Sequence, residues 1–277
     1  MAMYIQSNVS SLEAQNNLSQ TEASLATNFQ QLSSGYKINS AADNPADLGI
    51  SSQMDSDIGA YGVATQNAND AIGMAQTADG ALGQMTTMVD QLNQLAVQGS
   101  NGDMTSTDRS YLDTEFQSLK QEIGRISSST TYNGQALLSG SANTVSFQVG
   151  ISNNANNQIA VSFGGVDLTS LGLNSSDVAG ATATDSQASM TACQGALATI
   201  NTARAGFGAA VNRLNVTVSN IQSQSTNESS ADAGIKDVDV AQATAAMAAN
   251  QVLSQSGVAV LSQANQIPQL ALKLLQG

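Results

Sequence analysis

The chain has 277 residues, 41% hydrophobic and 4% aromatic with no tryptophan, and about 129 of its residues are Ala, Ser, Asn or Gln, so little apolar surface is available per residue for a deep globular core. With 21 acidic and eight basic residues its net charge is −13, which sets it against nucleic acid and anionic membrane surfaces. Histidine is absent and cysteine occurs once, at Cys193, which excludes His-based acid–base and triad catalysis, His-containing zinc sites and any internal disulfide.

The start, Met1-Ala2-Met3-Tyr4-Ile5-Gln6, has neither the basic nor the apolar region of a cleaved signal peptide, and no run approaches the ~18 apolar residues of a membrane span. Prolines occur at positions 45 and 268 and nowhere else, so long helices are permitted almost throughout. A first helix is predicted from about Asn8 to Gln31, with Leu18, Leu25, Phe29, Leu32 and Tyr36 stepping along one face. Gly35 and Asn44-Pro45 interrupt it. A second helix is predicted from Ala46 to Gln98, roughly 80 Å at ~1.5 Å per residue, ending at Ser100-Asn101-Gly102-Asp103. The third carries Leu112, Phe116, Leu119, Ile123 and Ile126, with Thr105, Ser106 and Thr107 as candidate caps.

The texture changes between Thr131 and Thr184. Val145, Phe147, Val149 and Ile151 alternate with polar residues, as do Ile159, Val161 and Phe163, and Asn153 to Asn157 supplies a turn, which predicts a β-hairpin. Helix returns in heptad register from Met190 through Cys193, Ile200, Phe207 and Leu214 to Ile221, with Arg204 in one slot of the apolar face. Beyond a polar stretch from Ser223 to Ala233, Leu253, Val260, Ile267 and Leu274 recur every seven residues. The order of elements is nearly a palindrome about the β insert. It predicts a mainly α fold in which the chain doubles back as a long antiparallel helical coiled-coil or bundle rod with a small β-hairpin insert.

Charge is scarce at both ends: residues 1–36 hold only Glu13 and Glu22, and residues 240–277 only Lys273. Helices with apolar faces and neutral polar residues elsewhere call for burial on nearly every side, which further copies of the chain would supply. Asp43-Asn44-Pro45 reads as a turn-forming hinge between two helices rather than a cation site. Asp55 and Asp57 read as a solvated pair, and Cys193 as a small buried hydrophobe. These residues suggest no catalytic group, cofactor or metal ligand.

The run Gln31-Leu32-Ser33-Ser34-Gly35-Tyr36-Lys37-Ile38-Asn39-Ser40-Ala41-Ala42-Asp43-Asn44-Pro45-Ala46 resembles the signature of bacterial flagellins. Leu95-Ala96-Val97-Gln98, Tyr132-Asn133-Gly134, Phe147-Gln148-Val149-Gly150 and Ser262-Gln263-Ala264-Asn265-Gln266-Ile267-Pro268-Gln269 are similar to further segments of that family in order. The resemblance, which covers about residues 1–140 and 186–277, implies a short-form flagellin lacking the large outer domains. It implies a structural, non-enzymatic subunit that polymerises into the flagellar filament for swimming motility, exported uncleaved through the flagellar type III apparatus to the extracellular filament. A hook-filament junction protein is the alternative.

By the same comparison, residues 1–44 with 235–277 form an inner filament-core domain, 45–138 with 186–234 an outer helical bundle, and 139–185 a surface insert. Core packing falls to Leu18, Leu25, Phe29, Leu32, Leu253, Val260, Ile267 and Leu274, and Asp43, Asn44 and Pro45 match the family's spoke between domains. Gln91, Leu92, Asn93, Leu95, Val97 and Gln98 match a segment that contacts a neighbouring subunit and, in many flagellins, the animal flagellin-sensing Toll-like receptor. Gln91 and Asn93 stand where arginines are common, so weak receptor binding is expected, with Leu92 and Leu95 still available to dock. Other copies of the chain, an export chaperone, and cap and hook-junction proteins are the implied partners.

Overall fold

The computed structural model describes residues 7–180 and 182–276, with side chains described as far as Ile267. It is mainly α: α1 (Val9–Ser34), α2 (Pro45–Gly99), α3 (Ser106–Ser129), then β1 (Thr131–Tyr132), β2 (Gln135–Ala136), β3 (Asn143–Gln148) and β4 (Gln158–Phe163), and finally α4 (Ala183–Lys236) and α5 (Val240–Gln276). The chain divides into two compact units, one formed by residues 1–56 with 227–277 and the other by residues 57–226.

Helix boundaries follow local chemistry. Asn8 caps α1 by accepting the Ser11 N–H at 3.2 Å, and Gly35 ends it in the left-handed region, at φ 80°, where a side chain would be strained. Asn44 caps α2: its Oδ1 accepts the N–H groups of Ala46 and Asp47, and Pro45 occupies the first helical position, where no N–H is needed. Thr105 caps α3 in a reciprocal box with Asp108, as the expected cap cluster suggested. α4 runs unbroken through the polar stretch Ser223 to Ala233, which contains neither Gly nor Pro.

In the first unit α1 and α5 pair antiparallel. Near one end of the pair Asn8 Nδ2 donates to the Ala264 carbonyl at 2.9 Å; near the other, Lys37 N–H donates to the Lys236 carbonyl and Val238 N–H to the Gly35 carbonyl. The covered face of α1 is Ser11, Ala14, Leu18, Thr21, Leu25, Asn28 and Leu32; that of α5 is Ala243, Met247, Asn250, Ser254, Gly257, Leu261 and Ala264. Both follow alternating three- and four-residue steps. Small residues let the α5 backbone come close, and a Cβ on Gly257 would stand 3.2 Å from Leu18 Cδ1.

Within the chain this pairing covers only part of the residues expected to pack in the filament core. Leu18, Leu25 and Leu32 lie in the interface, but Phe29, Leu253, Val260 and Ile267 do not: they are 51%, 56%, 57% and 45% exposed. Leu253, Val260 and Ile267 sit beside the covered row, one residue ahead of Ser254 and Leu261, so their seven-residue recurrence marks a parallel stripe on the flank of α5. The Leu274 side chain lies outside the described residues.

The second unit holds the larger core. Leu82, Met85, Val89 and Leu92 of α2, Phe116 and Ile123 of α3, and Ile200 and Leu214 of α4 are fully or almost fully buried. α2 and α4 run antiparallel, as shown by the Arg204–Asp79 ion pair at 2.8 Å and the contact of Gly99 with Ser186. Arg204 therefore stands at the edge of the apolar face with its charge matched. β3 and β4 form the expected antiparallel hairpin, with Val145 opposite Val161 and Phe147 opposite Ile159. Alternation along β4 puts Ile159, Val161 and Phe163 into the core, where Phe163 meets Phe207 at a ring separation of 5.3 Å. The following loop buries Val166, Leu171, Leu173 and Val178, so the 139–185 region contributes to this core, and its longest exposed runs are Gly140 to Thr144 and the hairpin tip from Ile151 to Asn156. β1 and β2 form a second, two-residue hairpin around Asn133-Gly134, both in the left-handed region.

Candidate functional site

The feature that most needs explaining is uncovered apolar surface. Among the described residues the first unit exposes Val9, Leu12, Phe29, Val240, Val252, Leu253, Val258, Val260 and Ile267, together with Tyr36 and Ile50; the larger second unit exposes only Val63, Val97, Tyr111, Ile151 and Val216 among its large hydrophobics. Of the covered rows of α1 and α5, only Ala14, Ala243 and Ala264 are truly buried. Each valine, leucine or isoleucine of the stripe would gain about 1.5–3 kcal/mol on full burial. No charged residue lies between Val240 and Ile267, so covering this face would desolvate no ion.

The corner before α2 is built from Asp43, Asn44 and Pro45. The Asp43 carboxylate accepts N–H bonds from Asn39 at 2.9 Å and Ser40 at 2.8 Å, plus the Ser40 hydroxyl, and these donors hold its pKa below the ordinary value. Asn44 Nδ2 reaches Asp47 at 2.6 Å, closing the cap from both sides. Close by, Lys236 pairs with Asp55 at 2.8 Å and lies 4.9 Å from the centre of the Tyr36 ring, tying the end of α4 to the start of α2. Asp55 is thus one half of a structural ion pair. Because the folded pKa of Asp43 is depressed, its contribution to stability is present above the unfolded value near 3.8 and is lost as pH falls through the folded value. Asp108, whose pKa is lowered by the Thr105 hydroxyl and N–H, has the same sign. Asp43→Ala and Asp108→Ala are each expected to lower stability at neutral pH and to flatten its fall below pH 4, read from denaturant midpoints across pH.

The 91–98 segment is the last two turns of α2. Gln91 and Gln98 are exposed, Val97 is 48% exposed, and Asn93 and Leu95 are half-buried. Leu92 is fully buried, and it cannot serve as a surface anchor: the helix turns it toward Phe116, Ile123 and the rest of the core. Leu92→Ala is accordingly expected to cost about 2–5 kcal/mol of stability, while Gln91→Ala stays within about 0.5 kcal/mol; calorimetry of the two variants checks this. Equal effects would mean that the helix face is wrongly assigned.

Sequence reasoning missed Arg109. It is 4% exposed, and its guanidinium donates to the carbonyls of Gly99 at 2.8 Å and Asn101 at 3.1 Å. It satisfies acceptors at the end of α2, a helix with no basic residue in its own last turn, and places positive charge at the negative end of the helix dipole. A lone arginine ten residues downstream of a helix end carries no motif, so only the α2–α3 corner reveals its role. Cys193 is fully buried, and burial pushes its thiol up to about 11, which leaves it protonated and unreactive at neutral pH. Among the described residues no group of three His, Cys, Asp or Glu side chains is placed to hold a metal, and no described helix is long and apolar enough to cross a membrane.

Paired terminal helices with an uncharged apolar flank, joined to an antiparallel helical core, can be compared with known proteins. Residues 5–143 match the bacterial flagellin N-terminal helical region and residues 190–275 the bacterial flagellin C-terminal helical region. The chain belongs to the bacterial flagellin family. It is 36% identical over 250 residues to a flagellin of Halalkalibacterium halodurans, covering 90% of each chain. To a flagellin of Listeria innocua it is 33% identical over 285 residues, 99% of each chain, and to that of Bacillus subtilis 32% identical over 304 residues, 99% of this chain and all of the other. A solved structure assigned as a flagellar hook-associated protein from Vibrio parahaemolyticus aligns with a TM-score of 0.59 over 70% of this chain and all of its own, at 14% identity, a likeness of fold alone.

This flagellin is a structural subunit of the flagellar filament: it polymerises with copies of itself and is secreted to the extracellular filament. Its near full-length match to flagellins of similar size agrees with a short form.

Proposed function

We propose that the uncharged apolar flank of α1 and α5 is the surface that neighbouring copies cover in the filament. Residues 1–44 with 235–277 then form the inner filament-core domain, residues 45–138 with 186–234 the outer helical bundle, and the hairpin region 139–185 faces outward at its tip. The observation that carries this reading is the exposure of Phe29, Leu253, Val260 and Ile267 beside the row of residues that α1 and α5 cover between them. A lone chain leaves these side chains in water; packed copies remove them from it. Asp43, Asn44 and Pro45 act as the spoke between the two domains, with their hydrogen bonds fixing the exit angle of α2.

The role is purely structural, with no catalytic step. An export chaperone, cap and hook-junction proteins are further partners, each binding the chain at a different stage of its delivery. Binding to the animal flagellin-sensing receptor is weak, because Gln91 and Asn93 offer neutral amides where a guanidinium would offer a charged fork. Burial of Leu92 leaves Leu95 and Val97 as the apolar residues of that segment able to contribute.

Purified monomer brought to assembly conditions is expected to give long helical filaments by electron microscopy. Limited proteolysis before and after assembly should show both terminal segments cleaved in the monomer and protected in the filament. Terminal segments equally resistant in both states would overturn the assignment of the flank as the intersubunit surface.

A further inference from the structure

On the second unit, a groove of about 740 Å³ runs between α4 and the tip of the β3–β4 hairpin, and Arg213 lies on its wall. The four arginines of the chain differ in one respect. Arg109 donates to backbone carbonyls, Arg125 pairs with Glu122, and Arg204 pairs with Asp79. The guanidinium of Arg213 is exposed and, among the described residues, has no hydrogen-bond or ion-pair partner. One turn along the same face, Val216 is 70% exposed, and across the groove Ile151 at the hairpin tip is 39% exposed. Asn212, Thr217 and Asn220 supply neutral polar groups along the α4 wall.

An arginine with free donors flanked by uncovered aliphatic side chains is the composition of an interface anchor, where a charged fork is fixed by apolar contact on either side. The sign of the charge selects the partner. With 21 acidic residues against eight basic ones, copies of this chain repel one another overall, so assembly benefits from local points of attraction, and every copy brings many carboxylates to an unpaired arginine. We propose that the Arg213 groove is a contact between copies: it receives a carboxylate-bearing surface of a neighbouring subunit, whose Asp or Glu pairs with the guanidinium while Val216 and Ile151 are covered around it. The inference rests on the filament reading and adds to it a contact on the second unit, distinct from the α1 and α5 flank. Because the Arg213 guanidinium has no hydrogen-bond or ion-pair partner among the described residues, and the bond its carbonyl accepts from Thr217 does not depend on the side chain, its replacement should leave the monomer intact.

Two variants test the proposal. Arg213→Glu, compared with wild type, should show an unchanged circular dichroism spectrum and melting temperature, and a critical concentration for filament growth raised at least tenfold. Arg213→Lys keeps the charge and should polymerise. Treating its filaments with a water-soluble carbodiimide should join the introduced amine to the contacting carboxylate as an amide, the carbodiimide taking up the water lost, and peptide mass spectrometry would identify the acid. A cross-link between two copies, present in filaments and absent from monomer, is the expected result. Wild-type growth by Arg213→Glu, or coupling of the amine only to an acid of its own chain, would overturn the contact. Failure of the wild-type chain to form filaments at all would strike instead at the filament reading.

Discussion

A Val260→Asp variant is expected to purify as a folded monomer with the stability of the wild type and to form no filaments. Val260 is 57% exposed on the flank of α5, so in the monomer an aspartate there would remain hydrated and cost little. Between packed copies the same carboxylate would be desolvated with no cation nearby, since no charged residue lies between Val240 and Ile267, and the cost rises to several kcal/mol for each subunit added. Ala264→Asp is the contrasting change: Ala264 is 5% exposed in the covered row against α1, and its carbonyl accepts from Asn8. That substitution should loosen the helix pair in the monomer as well, seen as faster hydrogen exchange in both α1 and α5. Normal filaments from Val260→Asp would show that the flank stays in water after assembly.

The contrast between these two positions also marks the limit of what the sequence could tell. Seven-residue recurrence of Leu253, Val260 and Ile267 identified a helix and an apolar stripe, but two adjacent stripes on one helix share the same period. Large side chains drew attention to the stripe that is uncovered in the chain; apart from Met247 and Leu261, the row that α1 covers is made of Ala, Asn, Ser and Gly, which carry almost no hydropathy signal. Size, not polarity, suits them to a close helix pair. Elsewhere local chemistry was enough. Asn44-Pro45 and Thr105 gave the starts of α2 and α3, and alternation gave the β3–β4 hairpin. The β1–β2 hairpin escaped because two-residue strands have no measurable alternation. Leu92 escaped because a motif marks a segment, whereas burial is decided residue by residue around the helix. The candidate contact at Arg213 was not legible at all, for an unpaired arginine is recognised only when the pairs made by the others are known.

Arg109→Met is expected to lower the stability of the second unit by about 2–4 kcal/mol and its thermal midpoint by roughly 5–15 °C. Methionine retains much of the apolar stem, so the loss isolates the guanidinium. Its removal leaves the Gly99 carbonyl without the guanidinium donor that now reaches it and the Asn101 carbonyl with only the Met104 N–H at 3.4 Å, in a corner where Gly99 packs closely enough on Ser186 that a Cβ would stand 2.7 Å from the Ser186 hydroxyl. Positive charge would also leave the C-terminal end of a 55-residue helix, whose aligned peptide dipoles concentrate negative potential at that end. Hydrogen exchange should therefore accelerate first between Gly99 and Thr105, ahead of the centre of α2. Arg109→Lys should recover part of the loss, because an ammonium keeps the charge but cannot span two carbonyls with the geometry of the planar fork. A thermal midpoint unchanged by Arg109→Met would mean that the corner is held by packing alone, and that Gly99 and Asn101 find other donors at no cost.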